Sequence, residues 1–222
     1  MFLPYTLDMT FELPLFPLNT ILFPGMPLPL HIFEDRYQQL IRYCLDEGRP
    51  FGVVLIREGK AALGPLAEPF SVGCTAVITQ AQELEDGRFH IMTVGQERYR
   101  IVSLKQDNPY LVGEVESFPL QESPDDNLDE AAEQLYPLVL EYLQILAEAG
   151  KAKFDPLQST RAPQELGYLA ASIIQLLPDE KQALLEIDAA ETLLIQLQRR
   201  YKQELQLLRF MPRQDTGLYS LN

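Results

Sequence analysis

A chain of 222 residues, with 46% hydrophobic and 23% charged residues, has the composition of a globular protein and room for one large domain or two small ones. Its formal net charge of −14 argues against binding to nucleic acid or to anionic membranes, because phosphate groups are bound by basic surfaces. Two cysteines are too few for a disulfide framework or a multi-cysteine zinc site, and no uncharged apolar run is long enough to predict a membrane span.

The beginning of the chain, MFLPYTLDMT, lacks the basic region and the cleavage site of a signal peptide, so we expect a cytoplasmic protein. The segment from residue 15 to residue 33 then carries four prolines among large apolar residues. Such a segment is either an exposed proline-rich ligand or the start of a folded sheet. The prolines do not follow one polyproline register, and the residues between them are too apolar to be solvated. We therefore predict two short strands joined by a turn at residues 23–27.

The rest of the first 120 residues is rich in β-strand patterns and contains one helix. The helix has Tyr37, Leu40, Ile41, Cys44 and Leu45 on its apolar face and Gly48 at its C-terminal end. Short segments rich in β-branched and aromatic residues predict strands at 51–57, 72–81, 89–94, 99–105 and 111–118. Consecutive short strands joined by tight turns favour a mainly antiparallel barrel or sandwich.

The composition changes after residue 120. Residues 121–127 are polar, acidic and interrupted by proline, which predicts a linker. Apolar residues then recur at helical spacing, which predicts helices at 128–150 with a kink at Pro137, at 164–177, after Pro178, and at 188–211. Asp188 and Glu191 have the spacing of a capping box at the start of the last helix. The predicted organisation is a β-rich domain over 1–120, a helical bundle over 128–211 and a loose tail over 212–222.

The motifs of common enzymes are missing from the sequence. It contains no phosphate-binding G-x-x-x-x-G-K-[ST] loop, no G-x-G-x-x-G turn, no H-E-x-x-H and no G-x-S-x-G. Acidic residues at 83–86 and 125–126 lie in predicted turns or linkers, where solvated charge is the ordinary explanation. His90 falls within a predicted strand, and we interpret it as a structural or half-exposed histidine. We therefore expect a protein that is not an enzyme and that holds no metal or cofactor.

Residues 12–37, ELPLFPLNTILFPGMPLPLHIFEDRY, closely resemble the opening of the N-terminal substrate-binding domain of the Lon protease family. The resemblance continues in VGQERYRI at 94–101 and in EKQALLEID at 180–188, and it covers roughly residues 11–210. It implies an α+β fold in which a PUA-like pseudo-β-barrel is followed by an α-helical bundle. It also implies a standalone protein, since the sequence contains neither the nucleotide-binding loop nor the Ser–Lys protease segment of full-length Lon proteases.

The role of this family implies a non-catalytic module that binds exposed hydrophobic polypeptide segments, with delivery to a protease as one use. The apolar stretch before the first helix offers large side chains for such contacts, although burial in the barrel core is the alternative for each of them. Glu34 and Arg36 are either an ion pair at the helix start or the polar rim of a groove. An RNA-binding PUA-like protein is the alternative function, which the net charge opposes. The candidate peptide-binding residues are Phe23, Met26, Leu28, His31, Phe33, Glu34, Arg36 and Tyr37.

Overall fold

The structure, a computed structural model, describes residues 10–59, 68–105, 107–148 and 162–210. Within these residues the chain forms seven strands and five helices in an α+β arrangement. The strands are β1 (Phe11–Leu18), β2 (Pro27–Ile32), β3 (Phe51–Glu58), β4 (Glu68–Pro69), β5 (Val72–Glu83), β6 (Phe89–Lys105) and β7 (Leu111–Ser117). The helices are α1 (Asp35–Glu47), α2 (Leu128–Glu148), α3 (Pro163–Ile173), α4 (Pro178–Leu185) and α5 (Ala190–Phe210). The predicted tail at 212–222 lies outside the described residues.

Five of the strands close into a barrel. In the order β1-β7-β6-β5-β3 each strand pairs with the next, and β1 also pairs with β3, which completes the ring. The β1–β3 pairing is parallel, because β2 and α1 supply the long crossover that parallel strands need, and the other pairings are antiparallel. β2 pairs with β6 and β4 with β3. The predicted barrel is therefore confirmed.

The strand β6 differs from the sequence prediction. The sequence predicts two strands, at 89–94 and 99–105, whereas the structure has one strand of 17 residues. Its first part pairs with β2 and its last part with β7, and register shifts in its pairing with β5 and β7 bend it between the two. Gly95 therefore lies within a bent strand and not in a turn.

The barrel interior is filled around Tyr99. Its ring is buried, and its hydroxyl donates a hydrogen bond to the carbonyl oxygen of Val53 at 3.2 Å. The hydroxyl occupies space that two glycines leave open, because a Cβ on Gly52 or on Gly73 would lie 2.5 or 2.4 Å from it. The glycines of two neighbouring strands thus make room for one aromatic residue of a third.

The helices after residue 128 pack on one another and on the barrel. Tyr142 and Tyr201 meet edge to face inside the bundle, with ring centres 5.2 Å apart, and the Tyr201 hydroxyl donates to the carbonyl of Ala170 at 2.8 Å. Apolar side chains from the barrel part join the core of the bundle, namely Ile21, Phe23, Leu55, Val72, Phe118 and Leu120. One hydrophobic cluster therefore contains side chains of both parts, and the domain boundary at 121–127 stays a prediction.

Two details of the bundle differ from the sequence prediction. α3 ends at Ile173, earlier than the predicted residue 177, because the backbone of Ile174 leaves the helical range with a ψ of 134°. Leu177, which precedes a proline, is extended as well. Glu191 accepts a hydrogen bond from the N–H of Asn127 at 3.2 Å. This carboxylate links the start of α5 to the start of α2, a contact that the predicted capping box with Asp188 does not include.

Arg98 of β6 joins the barrel to the bundle. Its side chain is only 2% exposed, and Nη1 donates to the carbonyl oxygens of Leu185 and Ile187 at 2.7 and 2.5 Å. Burial lowers the pKa of Arg98, because the charged form loses its hydration. The two carbonyls lie at the end of α4, so this one side chain fixes the position of the loop between α4 and α5.

Candidate functional site

The prolines of β2 fit the hydrogen-bond pattern of an antiparallel pair. The N–H of Gly95 donates to the carbonyl of Met26 at 3.0 Å, so these two residues form a hydrogen-bonded pair. Because such pairs alternate with non-hydrogen-bonded ones, Pro27, Pro29 and His31 occupy the non-hydrogen-bonded positions. The prolines therefore remove no bond between β2 and β6. They also leave few N–H donors on the opposite edge of β2, which within the described residues pairs only with β6.

Alternate side chains of β2 point to opposite sides of the sheet. Leu28 and Ile32 are buried in the core, whereas Pro29 and His31 are exposed. Their cross-strand partners on β6 and the partners of those on β5 point to the same side. We call this surface the outer face and define it by Pro29, His31, Phe33, Gln80, Gln82, His90 and Met92.

The outer face contains an open depression of about 800 Å³. Residues 29–31, 80–82 and 90–92 line it. Among these described residues there is no Asp, Glu, Lys or Arg, although the chain has 32 acidic and 18 basic residues. The depression thus combines apolar side chains with a few neutral polar ones, as ligand sites commonly do.

Two histidines face each other in this depression. His31 and His90 are Cα partners across the β2–β6 pair, and their ring centres lie 4.8 Å apart with the planes at 81°. The ring of Phe33 lies beside them, with its centre 5.9 Å from that of His31, and 50% of its surface is exposed. Three rings therefore form a group that is open to solvent.

Three of the predicted peptide-binding residues belong to the core. Phe23 is 0% exposed and packs in the core that the barrel shares with the bundle. Leu28 and Tyr37 are buried between the sheet and α1. For Phe23 and Leu28 this is the alternative that the sequence left open, namely burial in the core.

Glu34 and Arg36 form an ion pair at the start of α1. The Arg36 Nη2 and Glu34 Oε2 atoms are 2.9 Å apart, and the guanidinium lies 4.7 Å from the centre of the Tyr37 ring. The carbonyl of Glu34 also accepts the first hydrogen bonds of the helix, from the N–H groups of Tyr37 and Gln38. This arrangement supports a structural role, and a role in binding stays a prediction.

Met26 is separated from the outer face. It lines a second cavity of about 570 Å³ between the turn at residues 24–27 and α3. The other lining residues of this cavity are Gln96, Gln164, Glu165, Tyr168, Leu169 and Ser172. The predicted candidates therefore divide between the core, the outer face, the start of α1 and this cleft.

The residues that β5 and β6 contribute to the outer face are absent from the sequence prediction. His90 and Met92 alternate with buried Phe89 and Ile91, so the period-2 pattern of residues 89–94 indicates that they share one side. The same pattern does not indicate that β2 pairs with this part of β6. That pairing joins residues about 60 positions apart in the chain, and it has no local signal.

The thiols of the chain are not activated for catalysis. Cys44 and Cys74 are both buried, and burial raises the pKa of each thiol to about 12. In the part of the chain that the structure describes, no three His, Cys, Asp or Glu residues are grouped so that they could hold a metal ion. In the same part, no helix has the length and apolar character to cross a membrane.

Comparison with known proteins gives one consistent family. The model of the ATP-dependent protease La (LON) substrate-binding domain matches residues 12–203. The Lon protease of Anaeromyxobacter dehalogenans (strain 2CP-C) is 27% identical over 203 residues, which are 90% of this chain and 23% of that protein. Lon protease 2 of Myxococcus xanthus is 27% identical over 205 residues, which are 90% of this chain and 25% of that protein. The chain thus spans about a quarter of the length of these curated relatives.

Solved structures agree with this result. The Lon N-terminal domain protein from Xanthomonas campestris is 30% identical, with a TM-score of 0.61 over 91% of this chain and 99% of that one. The N-terminal domain of the Mycobacterium avium complex Lon protease has a TM-score of 0.67 over 86% of this chain and 98% of that one. At 22% identity the second likeness shows the fold alone.

Proposed function

Because the chain belongs to the family of the ATP-dependent protease La (LON) substrate-binding domain, we propose that it binds exposed hydrophobic segments of polypeptides and catalyses no reaction on them. Its α+β fold and its likeness to solved Lon N-terminal domains support a substrate-binding module. More specifically, we propose that it acts as an adaptor that passes the bound polypeptide to a protease, or as a chaperone-like protein that captures it.

The outer face is the surface that supports the proposal best. The observation that carries it is the depression of about 800 Å³, whose described lining has no charged residue. An apolar segment can enter this depression without removing the water from a charged side chain of the protein, a step that would cost free energy. Phe33 provides an exposed aromatic ring on the outer face, and the half-buried Met92 provides a flexible thioether that adapts to ligands of different shape.

The mode of binding follows from the prolines. A polypeptide that added itself as a strand to the free edge of β2 would need N–H donors there, and Pro27 and Pro29 have none. We therefore propose that an incoming segment binds through contacts between its own side chains and the outer face. Such contacts depend little on the register of the bound chain, which suits a module that accepts different sequences.

A binding measurement with two forms of one protein tests the proposal. The probe is a fluorescently labelled protein held unfolded by reduction and carboxymethylation of its disulfides, and its native form is the comparison. We expect fluorescence anisotropy to show binding of the unfolded form only. Equal binding of both forms, or binding of neither form, would contradict the proposal.

A matched pair of variants locates the binding surface. Phe33 and Phe11 are exposed to 50% and 42%, but Phe11 lies on β1, which does not pair with β2 or β6. We expect Phe33→Ala to weaken binding roughly five- to thirtyfold, as loss of an exposed aromatic contact typically does, and Phe11→Ala to leave it unchanged. Equal losses in both variants would show that binding is not confined to the outer face.

A further inference from the structure

The two histidines of the outer face are the only ones in the chain. They come from strands that are far apart in sequence, yet they are direct partners at a non-hydrogen-bonded position of the β2–β6 pair. At such positions the side chains of the two strands approach each other more closely than at hydrogen-bonded ones. Both side chains are exposed, so no part of the described fold prevents a ligand from reaching them.

From this geometry we propose that His31 and His90 form a binding site for a divalent transition-metal ion of the zinc, nickel or copper type. Two imidazole nitrogens that bind one tetrahedral ion at about 2.0–2.1 Å place their ring centres about 5 Å apart. A right angle at the ion, as in a square-planar site, brings the centres to about 4.5 Å. The observed distance of 4.8 Å lies between these values, so the two rings already have the separation that chelation of one ion requires.

The surroundings of the pair favour a cation. Among the described residues that line the depression there is no Lys or Arg that would repel an ion, and the formal net charge of the chain is −14. Gln82 is the Cα partner of His90 on the other side of β6, and its amide is a neutral oxygen donor on the same row of the sheet. Imidazole nitrogens suit zinc, copper and nickel, whereas calcium and magnesium prefer oxygen ligands, so the site selects the transition metals.

Two protein ligands leave coordination positions open. In the described part of the chain no third His, Cys, Asp or Glu joins the pair, so water or a small ligand completes the coordination of the bound ion. The affinity then rests on the two imidazoles acting together, and removal of either one removes the chelate. This site does not depend on polypeptide binding by the outer face, and either proposal can fail alone.

Isothermal titration of Zn²⁺ into protein freed of any polyhistidine tag tests the site. The variants are His31→Gln, His90→Gln and the double variant, which contains no histidine at all. We expect one ion per chain for the natural sequence and at least about a tenfold loss of affinity in each single variant, because a second attached ligand commonly adds 10²- to 10⁴-fold. We also expect the double variant to bind no better than the single ones.

A relocated histidine is the matched control. The variant His31→Gln/Gln206→His keeps two histidines but places one on an exposed position of α5, in the helical bundle. We expect it to bind Zn²⁺ as weakly as His31→Gln, and we expect thermal unfolding without metal to be the same for all variants, because the exchanged side chains are exposed. The proposal is overturned if the histidine-free variant binds as tightly as the natural sequence, if one single variant keeps full affinity, or if the relocated histidine restores it.

Discussion

The turn at residues 23–27 lies so close to Gly95 of β6 that an added methyl group does not fit, and Gly95→Ala tests this packing. A Cβ on Gly95 would lie 2.3 Å from the carbonyl oxygen of Phe23. An ordinary carbon–oxygen contact needs about 3.3 Å or more, so the turn and β6 must separate by about 1 Å. The carbonyl of Phe23 cannot turn away alone, because it accepts a hydrogen bond from the N–H of Met26 at 3.0 Å.

The size of the effect follows from the bonds that the shift breaks. The N–H of Gly25 donates to the carbonyl of Gly95 at 2.8 Å, and the N–H of Gly95 donates to the carbonyl of Met26 at 3.0 Å. Each such bond contributes about 0.5–1.5 kcal/mol, and overpacking costs about 1–3 kcal/mol. We therefore expect Gly95→Ala to lower the free energy of unfolding by about 2–4 kcal/mol. Urea unfolding followed by circular dichroism measures this as a lower midpoint with an unchanged slope.

Gly167→Ala is the control, because the same change has the opposite expectation there. Gly167 lies within α3, and the atoms nearest to its added Cβ would be the Cδ2 atoms of Leu193 and Leu194, at 3.3 and 3.4 Å, which are ends of flexible side chains. Alanine is favoured over glycine in a helix by about 0.5–1 kcal/mol, so we expect this variant to be as stable as the natural sequence or more stable. If Gly95→Ala stays within about 0.5 kcal/mol of the natural sequence, or if both variants lose equally, the packing of the turn against β6 is not as close as described.

Two further predictions concern buried side chains of the first 120 residues. Tyr99→Phe removes the hydrogen bond to the Val53 carbonyl and leaves that oxygen buried. We therefore expect the free energy of unfolding in urea to fall by about 1–3 kcal/mol, and an unchanged midpoint would contradict this expectation. Burial raises the pKa of the thiols of Cys44 and Cys74 to about 12. We therefore expect iodoacetamide at pH 8 to leave both thiols unmodified in the folded protein and to modify them fully in urea, which mass spectrometry can measure. Rapid labelling of either thiol without denaturant would show that it is more accessible than described.

Local patterns in the sequence predict much of the fold. The change from period 2 to period 3.6 near residue 125 separates strands from helices, and the structure confirms it. The predicted turn within residues 23–27 is confirmed as well, with Gly25 at a φ of 77° that glycine adopts easily. These features depend on neighbouring residues, so they are visible in the sequence.

The pairing of distant strands has no such local signal. The parallel contact of β1 with β3 closes the barrel, and the contact of β2 with β6 forms the outer face, but neither follows from a turn or a period. The continuous β6 was missed for a related reason. Gly95 looks like a turn residue in the sequence, whereas its actual role is to let the chain of Phe23 approach β6.

The exposure of single side chains at the candidate site has no local signal in the sequence either. Phe23 and Phe33 are equally apolar and both lie near prolines, yet Phe23 is 0% exposed and Phe33 50% exposed. Phe33 follows the outward parity of β2, whereas Phe23 lies in the connection that packs against the bundle. Sequence reasoning offered both as anchors, because composition does not separate the two sides of a strand until its register is known.

Two of the segments that carry the family resemblance, at 94–101 and 180–188, serve the fold. In the segment at 94–101, Arg98 is fixed to the end of α4 and Tyr99 fills the barrel, and in the segment at 180–188 the buried Gln182 donates to the carbonyl of Val72 at 3.0 Å. These two segments meet across the contact between barrel and bundle, so a similar sequence there implies a similar assembly of the two parts. Under the proposed function, selection of a ligand would depend instead on side chains of the outer face such as His31, Phe33 and Met92. For this reason the preference for particular polypeptides has to be measured on this chain itself and cannot be transferred from relatives that are 27% identical.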